Sequence, residues 1–183
     1  MIKDNPLYEK IKDGLCGEEK LFDFFRDNNL IHHITSFDNF LGILNSGEIR
    51  YNDGSLKDSY PQSKNCYARY KKCISLFDLV TISIEDFAEV VDRWIVFTAN
   101  NKIFINFQYE TLSNKLILNK DFREEATKLR KMRIGYIEAL YPNKLSIKHA
   151  KSFLLSTNTY CQEYPNTIIG IKKLKRDYKF SIK

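Results

Sequence analysis

The distribution of apolar and polar residues predicts an α+β fold. Strand-like apolar runs outnumber helical ones late in the chain, and strands and helices nowhere alternate regularly as a parallel sheet requires. The chain has 183 residues, 43% hydrophobic and 14% aromatic, which fits one domain with a packed core. A disordered chain carries far less apolar material. No internal repeat is visible.

Residues 1–29 are polar apart from Leu21, Phe22, Phe24 and Phe25, and read as a helical N-terminal extension of one or two short helices. Leu30 to Thr35 reads as a strand. Ser36 is placed as an N-cap, its hydroxyl accepting from a free helix amide, and Phe37, Phe40, Leu41 and Leu44 follow at helical spacing. Asn45-Ser-Gly47 ends that helix, because glycine takes the left-handed conformation at C′. Glu48 to Tyr51 reads as another strand. Asn52 to Tyr70 is long, polar and tyrosine-bearing, with Asp53-Gly54 and Pro61 as turn signals. A loop of that length is usually functional or disordered, and this one is expected to cover the site.

Lys72 to Phe77 returns to strand character. Ser83-Ile-Glu-Asp86 has the form of a helix start and leads into Phe87, Val90 and Val91. Trp94 to Thr98 and Lys102 to Tyr109 flank Ala99-Asn-Asn101 and read as a β-hairpin. Leu116 to Leu118 extends the sheet, and Asp121 to Met132 is a charged helix or helical loop. Ile134 to Tyr141, Ser152 to Leu155, Thr167 to Ile171 and Tyr178 to Ile182 read as the last strands.

Composition narrows the function classes. No apolar run approaches the roughly 20 residues of a membrane helix, and Met-Ile-Lys-Asp-Asn-Pro lacks the layout of a signal peptide. A cytoplasmic protein with no membrane partner is expected. Cys16, Cys66, Cys73 and Cys161 form no Cys-x-x-Cys pair and read as free thiols. Three histidines without a cluster give no zinc site, so no metal is expected. Lys and Arg number 29 against 23 Asp and Glu, a net charge of +6. Their placement matters more than the sum. Lys128-Leu-Arg-Lys-Met-Arg133 lies just before Glu138, and the tail from Lys172 to Lys183 holds six basic residues. Both suit an acidic macromolecule.

Glu138 interrupts an apolar run, where a carboxylate has to be paired, exposed at a cleft, or used. More than a hundred residues upstream, His33-Ile-Thr35 puts a polar pair on another apolar strand. A carboxylate beside a ribose stabilises the oxocarbenium-like transition state of glycosidic cleavage. An arginine is the planar donor suited to a diphosphate, and Arg69 and Arg50 are the candidates. The competing reading is structural: a satisfied strand histidine, a surface-facing glutamate, and packing roles for Tyr60, Tyr67 and Tyr70. A basic, non-catalytic nucleic-acid-binding module is the alternative from another class. A metal-independent nuclease is weaker, having no distinctive spacing.

His32-His-Ile-Thr35 followed by Phe37-Asp-Asn-Phe-Leu-Gly-Ile-Leu-Asn-Ser-Gly47 resembles the opening of the DarT-type ADP-ribosyltransferases. Tyr136-Ile-Glu-Ala-Leu-Tyr-Pro-Asn-Lys-Leu-Ser-Ile147 resembles that family's glutamate-bearing strand. Lys72-Cys-Ile-Ser-Leu-Phe-Asp78 is similar to the strand lining the nicotinamide side in related folds. The family's middle aromatic and Pro-Met-Leu strand is not matched, and an N-terminal extension precedes the His-x-Thr strand. The resemblance implies two roughly perpendicular central β-sheets with flanking helices, in one domain over residues 1–183. It implies NAD as substrate, with Glu138 and Arg69 catalytic. His33, Thr35, Asn39, Arg50, Tyr67 and Ser75 would hold the dinucleotide, His33 and Thr35 as donors to the ribose and carboxamide. Lys128, Arg130, Lys131 and Arg133 would meet the acceptor, DNA or RNA in preference to protein. A toxin or anti-phage role, with an antagonist protein as a further partner, belongs to the same implication.

Overall fold

The computed structural model describes residues 21–56, 58, 63–91, 93–94, 101–131, 134–157 and 161–181. In chain order these form α1 (Leu21–Asp27), β1 (Leu30–Thr35), α2 (Phe37–Ser46), β2 (Glu48–Arg50), α3 (Tyr67–Tyr70), β3 (Cys73–Asp78) and α4 (Ile84–Ala88). β4 (Lys102–Gln108), α5 (Tyr109–Leu112), α6 (Asn119–Lys128), β5 (Glu138–Pro142), β6 (Lys144–Ser146), β7 (Ala150–Ser156), β8 (Cys161–Pro165) and α7 (Ile168–Ser181) follow. The fold is α+β. A six-stranded antiparallel sheet has the order β5-β3-β1-β4-β7-β8, and β2 pairs with β6 in a separate two-stranded sheet.

The large sheet is nearly divided. All of β1 pairs with β4, from Leu30–Gln108 to Thr35–Ile103, but β1 meets β3 only at Ile31–Asp78 and His32–Phe77. Beyond His32 the two strands part, and β3 carries on alongside β5 from Phe77–Glu138 to Cys73–Pro142. Strand alternation sends successive side chains to opposite faces. Leu30 and Ile34 therefore pack with Phe25, Phe87, Trp94 and Phe104 on one face. Ile31 packs with Phe40, Ile103, Ile105 and Phe153 on the other.

The β1–α2–β2 passage forms as its residues dictate. The Ser36 hydroxyl accepts from the Asn39 N–H at 3.3 Å, and Gly47 closes the helix at φ 74° with its N–H on the Ile43 carbonyl. Phe37 and Phe40 are the buried side of the helix.

Five expected elements differ. Thr167–Ile171 and Tyr178–Ile182 are not strands: Ile168–Ser181 is one helix, whose Ile171, Leu174 and Tyr178 recur at helical spacing and pack on the large sheet's core. Trp94 lies in a helical turn, its N–H donating to Val90 at 3.0 Å, and both edges of β4 are taken by β1 and β7. A hairpin partner has no edge left to pair with; residues 95–98 lie outside the described residues. The strand expected from Ile134 begins only at Glu138, after a turn. Within the expected loop, Tyr67–Tyr70 is helical. Cys161–Pro165, a strand with weak alternation, carries no sequence signal strong enough to be expected. Cys66, Cys73 and Cys161 are free thiols.

Candidate functional site

The parting of β1 and β3 places three of the expected site residues on one connected set of hydrogen bonds. Ser75 is the hub. Its hydroxyl donates to Glu138 Oε1 at 2.9 Å, and its backbone carbonyl lies 2.9 Å from His33 Nδ1. A carbonyl only accepts, so His33 carries its proton on Nδ1. Burial lowers the His33 pKa, and the bond to the Ser75 carbonyl opposes that shift only in part. In its neutral form Nε2 is then an acceptor, which corrects the expectation that His33 donates to a substrate. A ribose hydroxyl can donate to it.

Glu138 is only 4% exposed, so burial of its carboxylate has to be offset by donors. Besides Ser75, the Ile134 N–H donates to Glu138 Oε2 at 3.1 Å. The glutamate thus closes the turn that precedes its own strand, which also carries Glu138 N–H to the Ile134 carbonyl at 3.2 Å. Asn119, at the start of α6, holds the same turn. Its amide donates to the Glu138 carbonyl at 3.2 Å, and its oxygen accepts from the Tyr136 N–H at 2.9 Å. Tyr136 sits at φ 66°, a conformation that a bulky residue adopts only when its surroundings enforce it.

Of the two candidate arginines, Arg69 is the one whose charge, like that of Glu138, bears on the Cys66 thiol. Burial raises the Cys66 thiol pKa, and the charges of Glu138, Arg69 and Asp58 all bear on that thiol as well. Arg69 pairs with Asp58 at 3.4 Å, and a Cβ on Gly54 would stand 2.8 Å from its guanidinium. Arg50 is exposed on the small sheet opposite Lys144, and its charge bears on Asp53.

The other expected residues scatter. Thr35 is buried beside Ile103 on the continuation of β1, and Asn39 lies in the first turn of α2. Tyr67 is a packing residue: fully buried, it stacks on Phe122 with ring centres 5.0 Å apart and donates to Glu125 at 2.6 Å. That leaves its hydroxyl committed to α6 rather than to a dinucleotide. Lys128 pairs with Glu124 at 2.7 Å on the surface. Lys131 donates to Asn65 at 3.2 Å and lies 5.4 Å over the Tyr70 ring, while the Arg130 carbonyl accepts from Asn65. Arg133 lies outside the described residues.

A groove of about 850 Å³ lies between α6 and Glu89, Val90 and Arg93, with Asn119, Arg123, Glu124, Lys128 and Tyr136 among its lining. The Arg123 guanidinium lies 5.9 Å over the Tyr136 ring. Neither Asn119 nor the Arg123–Tyr136 pair was legible from the sequence, because the turn that joins them to Glu138 reads there as strand. Among the described residues no group of three His, Cys, Asp or Glu side chains is placed to hold a metal ion. Comparison with protein-family models, with curated proteins and with solved structures finds no match.

Proposed function

We propose that the protein is an NAD-dependent ADP-ribosyltransferase acting on a macromolecular acceptor, nucleic acid in preference to protein. One observation carries the reading. Ser75 joins Glu138 to His33 at the point where β1 and β3 stop pairing, so a carboxylate, a hydroxyl and an imidazole are linked through one residue at that seam. The order of these residues along the chain is that of the family the sequence resembles.

In this reading the dinucleotide lies along the parted strands. His33 Nε2 accepts from a ribose hydroxyl, and Glu138 faces the anomeric carbon. The bond from that carbon to the nicotinamide nitrogen breaks and nicotinamide leaves with the electron pair. The Glu138 charge then stabilises the cationic sugar. A nucleophile of the acceptor forms the new bond, and its proton passes to the carboxylate or to water. Arg69, paired with Asp58, supplies a cation for the diphosphate once it leaves that partner. Glu138 is buried, so substrate binding has to uncover it.

The test is incubation with NAD labelled in the adenylate, offered with DNA, RNA or protein. Label retained on one pool, with free nicotinamide released in equal amount, is the expected result. Salt-sensitive nucleic-acid binding without nicotinamide release would place the non-catalytic binding module first. The groove is the observation that favours that second reading: Arg93, Arg123 and Lys128 outnumber Glu89 and Glu124 in its lining.

A further inference from the structure

The C-terminal basic segment becomes something different once it is a helix. Along Ile168–Ser181 the residues exposed to solvent are Ile168, Ile169, Lys172, Lys173, Arg176, Lys179 and Phe180. At 3.6 residues per turn they share one arc of about 140°. Gly170 and Leu174 face inward and are buried, with Ile171 and Tyr178 packed on the same core. Asp177, the only acid of the helix, is turned aside: it accepts from the Tyr164 hydroxyl at 3.0 Å and pairs with Arg176. The outward face therefore holds four cations and no acid.

It also holds three large apolar side chains left mostly to solvent. Ile168 is 74% exposed, Ile169 80% and Phe180 67%. They stand at both ends of the cationic row, about 18 Å apart along the axis. Scattered single apolar residues need no explanation, but three on one arc with four cations do.

We propose that this face of α7 docks on an anionic lipid surface, the helix lying in the plane of the interface. A second copy of the chain is a poor occupant, because the face would meet its own positive charge. The phosphate backbone of a nucleic acid matches the cations but offers nothing to Ile168, Ile169 and Phe180. A bilayer carrying acidic headgroups matches both: the Lys and Arg heads meet phosphate and carboxylate, and the apolar side chains enter the boundary of the acyl region. No helix of the described residues is long and apolar enough to cross a membrane, and lying on one requires none. The inference stands apart from the proposed transfer chemistry, since its test involves no NAD.

The whole chain is sedimented with vesicles of phosphatidylcholine alone, and of phosphatidylcholine mixed with phosphatidylserine. Binding to the mixed vesicles only, released by high salt, is expected. Each charge removed among Lys172, Lys173, Arg176 and Lys179 lowers the partition about fivefold. The Ile169→Ser, Phe180→Ser double variant lowers it about tenfold or more at unchanged charge. These side chains are exposed, so unfolding curves of the variants match the parent. Equal binding to neutral vesicles overturns the proposal, as does binding to neither. Undiminished partition of the charge variants overturns it too. If an oligonucleotide is held through these residues while vesicles are not, the face belongs to nucleic acid instead. The parent protein with and without acidic lipid decides the matter even if a variant fails to fold.

Discussion

Replacing Glu138 by glutamine separates its two possible roles. The amide oxygen can still accept from the Ile134 N–H, and the amide nitrogen can donate to the Ser75 oxygen, so the turn and the strand are kept. What is lost is the charge. On the proposed reading transfer falls about 10²–10³-fold, with thermal unfolding unchanged; full activity in Glu138→Gln would remove the glutamate from the chemistry. Glu138→Ala deprives the same two donors of their acceptor and is expected to lose about 1–3 kcal/mol for each buried group. The carboxylate and the histidine were legible as an anomaly, polar residues on apolar strands. Ser75 as their link was not, because its role depends on where two strands separate, and nothing local in Cys-Ile-Ser-Leu-Phe encodes that.

His32 gives a second test at this scale. It is fully buried against Phe25, with ring centres 3.9 Å apart, and neither ring nitrogen has a hydrogen-bond partner. Burial pushes its pKa well down, and the neighbouring His33 adds to the shift. The unfolded chain therefore binds a proton that the folded chain refuses. Stability is full above the unfolded value of about 6.5 and falls as pH drops below it, by up to about 1.4 kcal/mol per pH unit for each such group. His33, lowered in the same direction, contributes likewise until its own folded pKa is reached. His32→Phe should flatten the loss between neutral pH and about pH 5 in denaturant unfolding. A slope identical to the parent's would mean that other groups carry the acid sensitivity.

Among the elements, α7 shows where pattern reading fails. Thr167–Ile171 is β-branched at every position but Gly170 and Tyr178–Ile182 alternates, so each half looks like a strand. The buried set Gly170, Leu174 and their neighbours becomes coherent only when both halves are read in one period. Gly170 fixes how closely that helix approaches β8. A Cβ there would stand 2.2 Å from the Pro165 carbonyl oxygen, a backbone atom that cannot swing away. Gly170→Ala should therefore cost about 1–3 kcal/mol through a forced shift of the helix. Gly42, in the middle of α2, meets nothing within 4 Å, and Gly42→Ala should stabilise by up to about 1 kcal/mol through helix propensity. Denaturant unfolding of the two variants should move the midpoint in opposite directions. A midpoint raised or unmoved by Gly170→Ala would mean that α7 does not approach β8 this closely, and one lowered by Gly42→Ala would mean that Gly42 is not free of neighbours. By contrast, α2 was legible end to end, because Ser36, Gly47 and the spacing of Phe37 and Phe40 are local signals that the tertiary structure only reinforces.

At the scale of the molecule, the α+β class followed from the number of strands, but the division of the large sheet did not. That division depends on β1 being shared, fully with β4 and briefly with β3, and the seam between the halves is held by few residues. Asp78 is the chief of them. Its backbone pairs with Ile31 across the seam, and its N–H donates to the Ile137 carbonyl at 2.7 Å, next to Glu138. Its carboxylate is 3% exposed and accepts from the N–H groups of Val80 and Thr81, at 2.8 and 3.1 Å, and from the Thr81 hydroxyl. Its charge also favours the cationic form of Arg26 on α1, against the burial that lowers that guanidinium's pKa. One side chain thus ties the end of β3 to the turn behind it. Asp78→Ala leaves those donors without an acceptor and should destabilise the whole domain by about 2–4 kcal/mol. Asp78→Asn keeps an oxygen for the two amides and loses only the charge, so its cost should be about half as large or less. Both are read by denaturant unfolding followed at Trp94 fluorescence and at far-ultraviolet dichroism. If the seam joins the halves into one cooperative unit, the two probes stay coincident in the parent and shift together in Asp78→Asn. In Asp78→Ala they are expected to separate, the Trp94 side unfolding first, because the Val80 and Thr81 N–H groups, in the turn whose Leu79 and Ile82 pack in the Trp94 cluster, lose their acceptor. Coincident probes with an unchanged midpoint in Asp78→Ala would show that the halves are held together elsewhere.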